Sequence, residues 1–249
     1  MRDGDAGSHG ARAGARRRDA RVRLRVARAR ARDALSRGRR LRARARAARR
    51  RAQLHRAPAP DYPTRAPLPL LFAFHGGGGN ASGFQAYAGL DAPADARGFA
   101  VVYPNGSGRF AKRLLTWNAG DCCAYAQQHE ADDVGFALAI LADLARDLPL
   151  DRTRVYATGH SNGGMMSYRL AAEAATRIAA IAPVAGADMT RTFAPEAPVA
   201  VLHVHSVDDP RALYAGGPGP ANPLGGTRIE HRAAEAGLDQ RAHVVVVEQ

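Results

Sequence analysis

From residue 68 onward, short apolar runs alternate with amphipathic stretches. LPLLFAF (68–74) has the length of a buried strand, and FAVVYP (99–104), RVYATG (154–159), IAAIAPVAG (178–186) and PVAVLHVHS (198–206) repeat the pattern. Between them, GFQAYAGLDAPADARG has the spacing of short helices ending at Gly98. DDVGFALAILADLARDL (132–148) sets apolar residues at helical intervals behind Asp132 as N-cap, and GGMMSYRLAAEAA reads as a further helix. Residues 105–130 read as a long polar loop, and IEHRAAEAG, which holds His231, as a helix-like stretch packed on the sheet. HVVVV (243–247) is a candidate final strand. Strands alternating with helices of this length predict an α/β fold: a mostly parallel sheet covered on both faces, with sites at the carboxyl ends of its strands.

The first 57 residues break this pattern. They are almost an Ala/Arg copolymer, with 21 Arg against four acids, whereas residues 58–249 carry 15 basic and 19 acidic residues. The formal charge of +13 therefore belongs to one end. Too few large apolar side chains are present there to offset the entropy of folding, so residues 1–57 are expected not to pack, apart from one short strand open to Val22, Leu24 and Val26. A basic arm for nucleic acid or an anionic membrane is the functional alternative. Aromatic residues for stacking and a periodic apolar face are both missing, so no specific nucleic-acid partner is expected. Residues 58–67 form a Pro-rich linker, and the domain is placed at 68–249. No secretory signal and no membrane span are read in the chain.

Chemistry enters at Gly159-His160-Ser161-Asn162-Gly163, a G-x-S-x-G between an expected strand and an expected helix. That setting exposes a serine oxygen on a strained turn and places the backbone N–H of Asn162 to stabilise an oxyanion; the competing reading is a serine N-cap on an ordinary helix. His75-Gly76-Gly77-Gly78-Gly79 follows another strand, and its free N–H groups suit a developing negative charge. Trp117 and Asn118 either line the pocket or pack a surface loop. Cys122 and Cys123 are the only cysteines, so each can pair with the other alone. No cluster has metal-ligand spacing, no phosphate loop is present, and no cofactor is expected.

FAFHGGGGNASGF, VVYPNGSG, WNAGDCC, DDVGF, VYATGHSNGGMMSYRLA, IAPVAG and HVHSVDDP together resemble the family of polyhydroxybutyrate depolymerases and related feruloyl and acetylxylan esterases, in the α/β-hydrolase superfamily. The match covers about residues 68–217. It implies an α/β-hydrolase fold, Ser161 as nucleophile, a triad acid in HVHSVDDP and extracellular action on an ester substrate, beside the motif reading of Gly76, Gly77 and Asn162 as the oxyanion hole and of His75, Trp117 and Asn118 as candidate pocket residues.

Asp208 and Asp209 both follow the fifth strand, and the family pattern H-x-H-G-T-x-D-P aligns its acid with Asp209, although Ser206-Val207 stands here for Gly-Thr. The base has no matching segment: the family carries it in a loop resembling G-G-G-H-x-W-P, and the sequence closes at Glu248-Gln249 after HVVVV. His243 precedes that strand, His129 lies in the long loop, and His75, His160, His203 and His205 fall in motifs with other roles. The expectation is an esterase by descent that lacks a placed base, with a folded but inactive homologue as the alternative.

Overall fold

The computed structural model describes residues 52–56, 67–221 and 228–237, all within the second of the chain's two units, Ala45–Gln249. The apolar runs become the strands of one six-stranded sheet: β1 (Ala52–Arg56), β2 (Leu68–Phe74), β3 (Ala100–Pro104), β4 (Leu150–His160), β5 (Ala180–Val184) and β6 (Ala200–Val201). Their spatial order is β1-β3-β2-β4-β5-β6. All neighbours run parallel except β1, which lies antiparallel on the edge against β3.

Because successive strand residues face opposite ways, β2 and β3 feed two cores. Leu70, Phe72, Phe74, Ala100 and Val102 pack with α4 (Asp133–Asp147) and α5 (Asn162–Glu173) on one face. Leu71, Ala73, Val101 and Tyr103 pack with α1 (Ala81–Ala88) and α2 (Asp91–Arg97) on the other. One more helix, α3 (Ala124–Gln128), lies in the loop after β3. Each fully buried phenylalanine of β2 contributes about 1.5–3 kcal/mol relative to an exposed one, and Phe72 and Phe74 are 1% and 0% exposed. Continuous apolar sequence is what a strand covered on both faces requires.

The helix ends follow the sequence. Asp132 caps α4, its carboxylate accepting the N–H of Gly135 at 2.9 Å. Gly98 ends α2 with φ 69°, a left-handed value, and donates its N–H to Ala94 O at 2.8 Å.

Several expectations change. Ala52–Arg56 lies inside the stretch expected not to pack, yet pairs residue for residue with β3; an edge strand bonds on one side only and leaves little apolar pattern to read. β4 begins at Leu150, earlier than the apolar run, because Leu68 pairs with Leu150 before the register shifts. The fifth run narrows to Ala200–Val201, although Leu202 N–H and Val204 N–H still reach Ile181 O and Pro183 O at 2.9 and 3.0 Å. His231 sits not on a helix but in β8 (Glu230–His231), paired antiparallel with β7 (Gly217–Pro218); a 3-10 turn at Ala234–Gly237 follows. The polar loop is partly ordered by α3 and by bridges Ser107–Thr116 and Phe110–Arg113. Val22–Val26, the proline-rich linker up to residue 66 and residues 243–247 lie outside the described residues.

The topology fixes where a site can form. From β2 the chain leaves toward β3 on one side, and from β4 it leaves through α5 toward β5 on the other. The two departures open a crevice between the carboxyl ends of β2 and β4, the switch point at which open α/β sheets bind ligands.

Candidate active site

The residues at that crevice are those of the two glycine-rich motifs. Ser161 lies between β4 and α5 with φ 54° and ψ −120°, a backbone conformation that costs a non-glycine residue about 1–3 kcal/mol. The surroundings hold it there. Its N–H donates to Val184 O at 2.8 Å and its carbonyl accepts from Met165 N at 3.0 Å. The turn needs glycine on both sides: a Cβ on Gly159 would lie 2.7 Å from Phe74 O, and one on Gly163 2.7 Å from His75 O. The serine is therefore not a conventional N-cap, and its side chain accepts no bond from the helix it precedes.

The loop after β2 packs directly on this turn. A methyl group on Gly76 would lie 3.8 Å from Ser161 Cβ, and one on Gly77 3.7 Å from Asn162 Cβ. Among the described residues, the N–H groups of Gly76, Gly77 and Asn162 donate no hydrogen bond. The Gly76 carbonyl is occupied, accepting from Gly79 N at 3.0 Å and from His75 Nδ1 at 2.8 Å. Three unspent donors thus stand beside the serine.

Asp209 lies on the same sheet edge, in the turn that follows the pairing of β6 with β5. One oxygen, Oδ1, accepts the N–H groups of Arg211 and Ala212 at 2.8 and 3.0 Å, and Oδ2 lies 3.7 Å from His205 Nε2. Asp208 is exposed. The carboxylate's charge reaches His160, next to Ser161, and His231: burial lowers both imidazoles from their ordinary value, and Asp209 opposes that shift in each. His231 is buried, and its Nδ1 has no hydrogen-bond partner among the described residues. Among the described residues no histidine bridges Asp209 and Ser161 by hydrogen bonds.

His75, Trp117 and Asn118, expected on the pocket wall, are instead 1%, 0% and 9% exposed. They brace the loops from within. His75 Nε2 accepts the N–H of Gly106 at 3.0 Å, so Nδ1 carries the proton that goes to Gly76 O. Burial pulls its pKa down to about 4, against the opposing pull of the Gly76 bond, which keeps it neutral and unfit as a base near pH 7. Trp117 donates Nε1–H to His75 O at 2.9 Å. Its backbone is gripped by the Asn162 side chain, which accepts from Trp117 N at 2.7 Å and donates to Trp117 O at 3.0 Å. Asn118 N–H donates to Asp133 at 2.8 Å, and Asn118 O accepts from Arg169 at 2.6 Å. Cys122 and Cys123 are bonded to each other and packed against Met165 and Met189. A cleft of about 480 Å³ beside the glycine loop is lined by Gly78, Asn80, Phe110, Arg113 and Leu114.

The profile of the family described as Esterase PHB depolymerase matches residues 59–217, which include both glycine motifs and Asp209. The chain belongs to that esterase family. Among its relatives, "Putative esterase NocK" of Nocardia uniformis subsp. tsuyamanensis is 36% identical over 166 residues, 66% of this chain and 46% of that one. Feruloyl esterase C of Emericella nidulans is 32% identical over 163 residues, 63% of this chain and 54% of the relative. The chain thus spans about half the length of these curated relatives. The Bacillus cereus carboxylesterase structure superposes with a TM-score of 0.56 at 15% identity, covering 80% of this chain and 84% of that one, and so shares the α/β-hydrolase fold. Tyr168, on the helix that follows Ser161, carried no signal at the level of sequence, since a tyrosine in an apolar helix reads as core.

Proposed function

We propose that the chain is a serine carboxylic-ester hydrolase that acts through an acyl-enzyme on Ser161. The observation that carries this reading is the strained serine with the free N–H groups of Gly76, Gly77 and Asn162 packed around it. Ser161 Oγ attacks the ester carbonyl as its proton passes to a histidine base, the N–H groups take up the charge on the carbonyl oxygen, and the base returns the proton to the departing alcohol. Water, giving its proton to the same base, then attacks the acyl carbonyl, and the protonated base returns that proton to Ser161 Oγ as the acid leaves. Asp209 serves as the acid that orients and balances a histidine base, in the chain order Ser…Asp…His of this fold. The names of the relatives support acyl esters as the substrate class, and the resemblance supports extracellular action. No helix among the described residues is long and apolar enough to cross a membrane.

A second reading, a folded homologue without turnover, is favoured by the lack of a histidine bridging Ser161 and Asp209 among the described residues. One experiment separates them. Hydrolysis of p-nitrophenyl acetate and labelling by a fluorophosphonate, both lost in Ser161→Ala with kcat down roughly 10⁶-fold, support the esterase. His231, His160 and His243 are then replaced in turn to find the base. A folded chain that neither turns over nor labels supports the second reading.

A further inference from the structure

We propose that Tyr168, His203 and His205 are positioning residues for Asp209, forming a buried neutral relay that ties the nucleophile's helix to the turn carrying the carboxylate. The inference rests on reading Asp209 as the triad acid. Tyr168 lies on α5, the helix that begins directly after Ser161. Its hydroxyl is 2.7 Å from His203 Nδ1, His203 Nε2 is 2.9 Å from His205 Nδ1, and His205 Nε2 is 2.6 Å from Ala212 O. Tyr168, His203 and His205 are 0%, 0% and 3% exposed.

The proton positions follow from the far end. A carbonyl only accepts, so His205 Nε2 carries a proton and donates to Ala212 O. A neutral His205 then has a bare Nδ1, which accepts from His203 Nε2–H. His203 Nδ1 is bare in turn and accepts the Tyr168 hydroxyl proton. Each ring nitrogen and the hydroxyl is satisfied with no net charge, which a site this deeply buried favours. A proton added to His203 would set its Nδ1–H against the tyrosine hydroxyl, which would have to turn its own proton elsewhere. Burial, then the neighbouring His205, hold His203 down to about 4, which keeps the relay neutral near pH 7.

The relay ends where the carboxylate begins. Ala212 gives its carbonyl to His205 and its N–H to Asp209 Oδ1. Asp209 spends Oδ1 on its own turn, and Oδ2 accepts no hydrogen bond among the described residues, which leaves it to orient a base. Nucleophile and acid come from different elements, and displacement by about 1 Å costs such a pair roughly 10²-fold in rate.

The test uses the full chain with ¹⁵N-labelled histidine. Long-range ¹H–¹⁵N spectra at pH 7.5 should show His203 and His205 as Nε2–H tautomers, with His203 not titrating between pH 5.5 and 8; Nδ1–H on either ring, or titration of His203 near its ordinary value, would overturn the relay. Hydrogen exchange tests positioning without catalysis. In His205→Leu the Arg211 and Ala212 amides should exchange at least about 10-fold faster while the β2–β4 ladder is unchanged, and in His205→Gln, whose amide N–H can reach Ala212 O, they should stay protected. Equal protection in both variants overturns the proposal. In turnover, His205→Leu should lower kcat by about 10²-fold with KM little changed, and His205→Gln should restore most of it; parallel losses in both, or a loss in KM alone, contradict a positioning role. A wild-type chain without turnover tells against the esterase reading, and the tautomers and exchange rates still decide the relay.

Discussion

Lowering the pH from 7.5 to 5 should destabilise the domain by several kcal/mol, because two of its fully buried histidines are held neutral. His75 and His203 have pKa values of about 4 in the fold, each lowered chiefly by burial, against about 6.5 in an unfolded chain. A folded value below the unfolded one means that the unfolded chain binds more protons between the two. The stability is therefore fully present above about 6.5 and is lost as pH falls toward 4. At pH 5 the linkage relation gives a loss of about 2 kcal/mol for each group, roughly 4 kcal/mol together, against a total of about 5–15 kcal/mol for a domain. His160 and His231, lowered by burial, act in the same direction. Buried Asp188 acts against them, since burial raises its carboxyl and acid then favours the folded form. Asp151, held down to about 2 chiefly by the Thr153 hydroxyl, responds below the histidine window. Urea unfolding at pH 7.5, 6 and 5, followed by the fluorescence of Trp117, measures the effect; this single tryptophan is buried 4.8 Å from the His75 ring. A midpoint that holds or rises between pH 7.5 and 5 would show that the two imidazoles are not held neutral by burial.

Two substitutions test the turn itself. Gly163→Ala drives a methyl group into the carbonyls of Phe74 and His75; it should cost about 1–3 kcal/mol or more and abolish fluorophosphonate labelling, and a variant that melts and labels like wild type would refute the close approach. Ser161→Gly removes strain of about 1–3 kcal/mol and adds back about 0.5–1 kcal/mol of glycine entropy, so its urea midpoint should rise while Ser161→Ala stays near wild type; a fall in the glycine variant would show that φ 54° is not a strained setting here.

What the sequence made legible was set by how directly each residue's role depends on local pattern. β2 and β3 were plain because strands covered on both faces must be apolar throughout, and α4 because its N-cap and its stripe agree. Ser161, Gly76 and Gly77 were legible because a sharp strand-to-helix turn and a free N–H row both demand glycine at fixed offsets. β1 was missed because an edge strand needs little beyond a ladder partner, and that partner lies more than 40 residues away. His231 was read as helical because the Ala- and Glu-rich residues after it favour helix; its pairing with Gly217 depends on β7, which has no apolar pattern. His75, Trp117 and Asn118 were expected on a pocket wall and are buried in the loops around Ser161, since a polar or aromatic residue beside such a turn reads alike whether it faces a ligand or holds the loop.

The burial of these three residues bears on how the loops around Ser161 are held. Ser161, the Gly76 and Gly77 donors and Asp209 come from three loops, and each loop is tied by a buried polar contact. Asn162 grips the Trp117 backbone, His75 joins Gly106 to Gly76, and His205 holds Ala212. Hydrogen bonds of this kind contribute only about 0.5–1.5 kcal/mol each to stability, and well-packed apolar replacements of the same shape can be nearly neutral. Their value lies in direction: an apolar contact tolerates sliding, whereas a donor and acceptor at 2.6–3.0 Å fix distance and angle together. The strained serine needs that fixity, because a conformation costing about 1–3 kcal/mol persists only where its neighbours over-determine it. Burial of the polar braces and strain at Ser161 are therefore two sides of one requirement, and the acid sensitivity of the buried histidines follows from it.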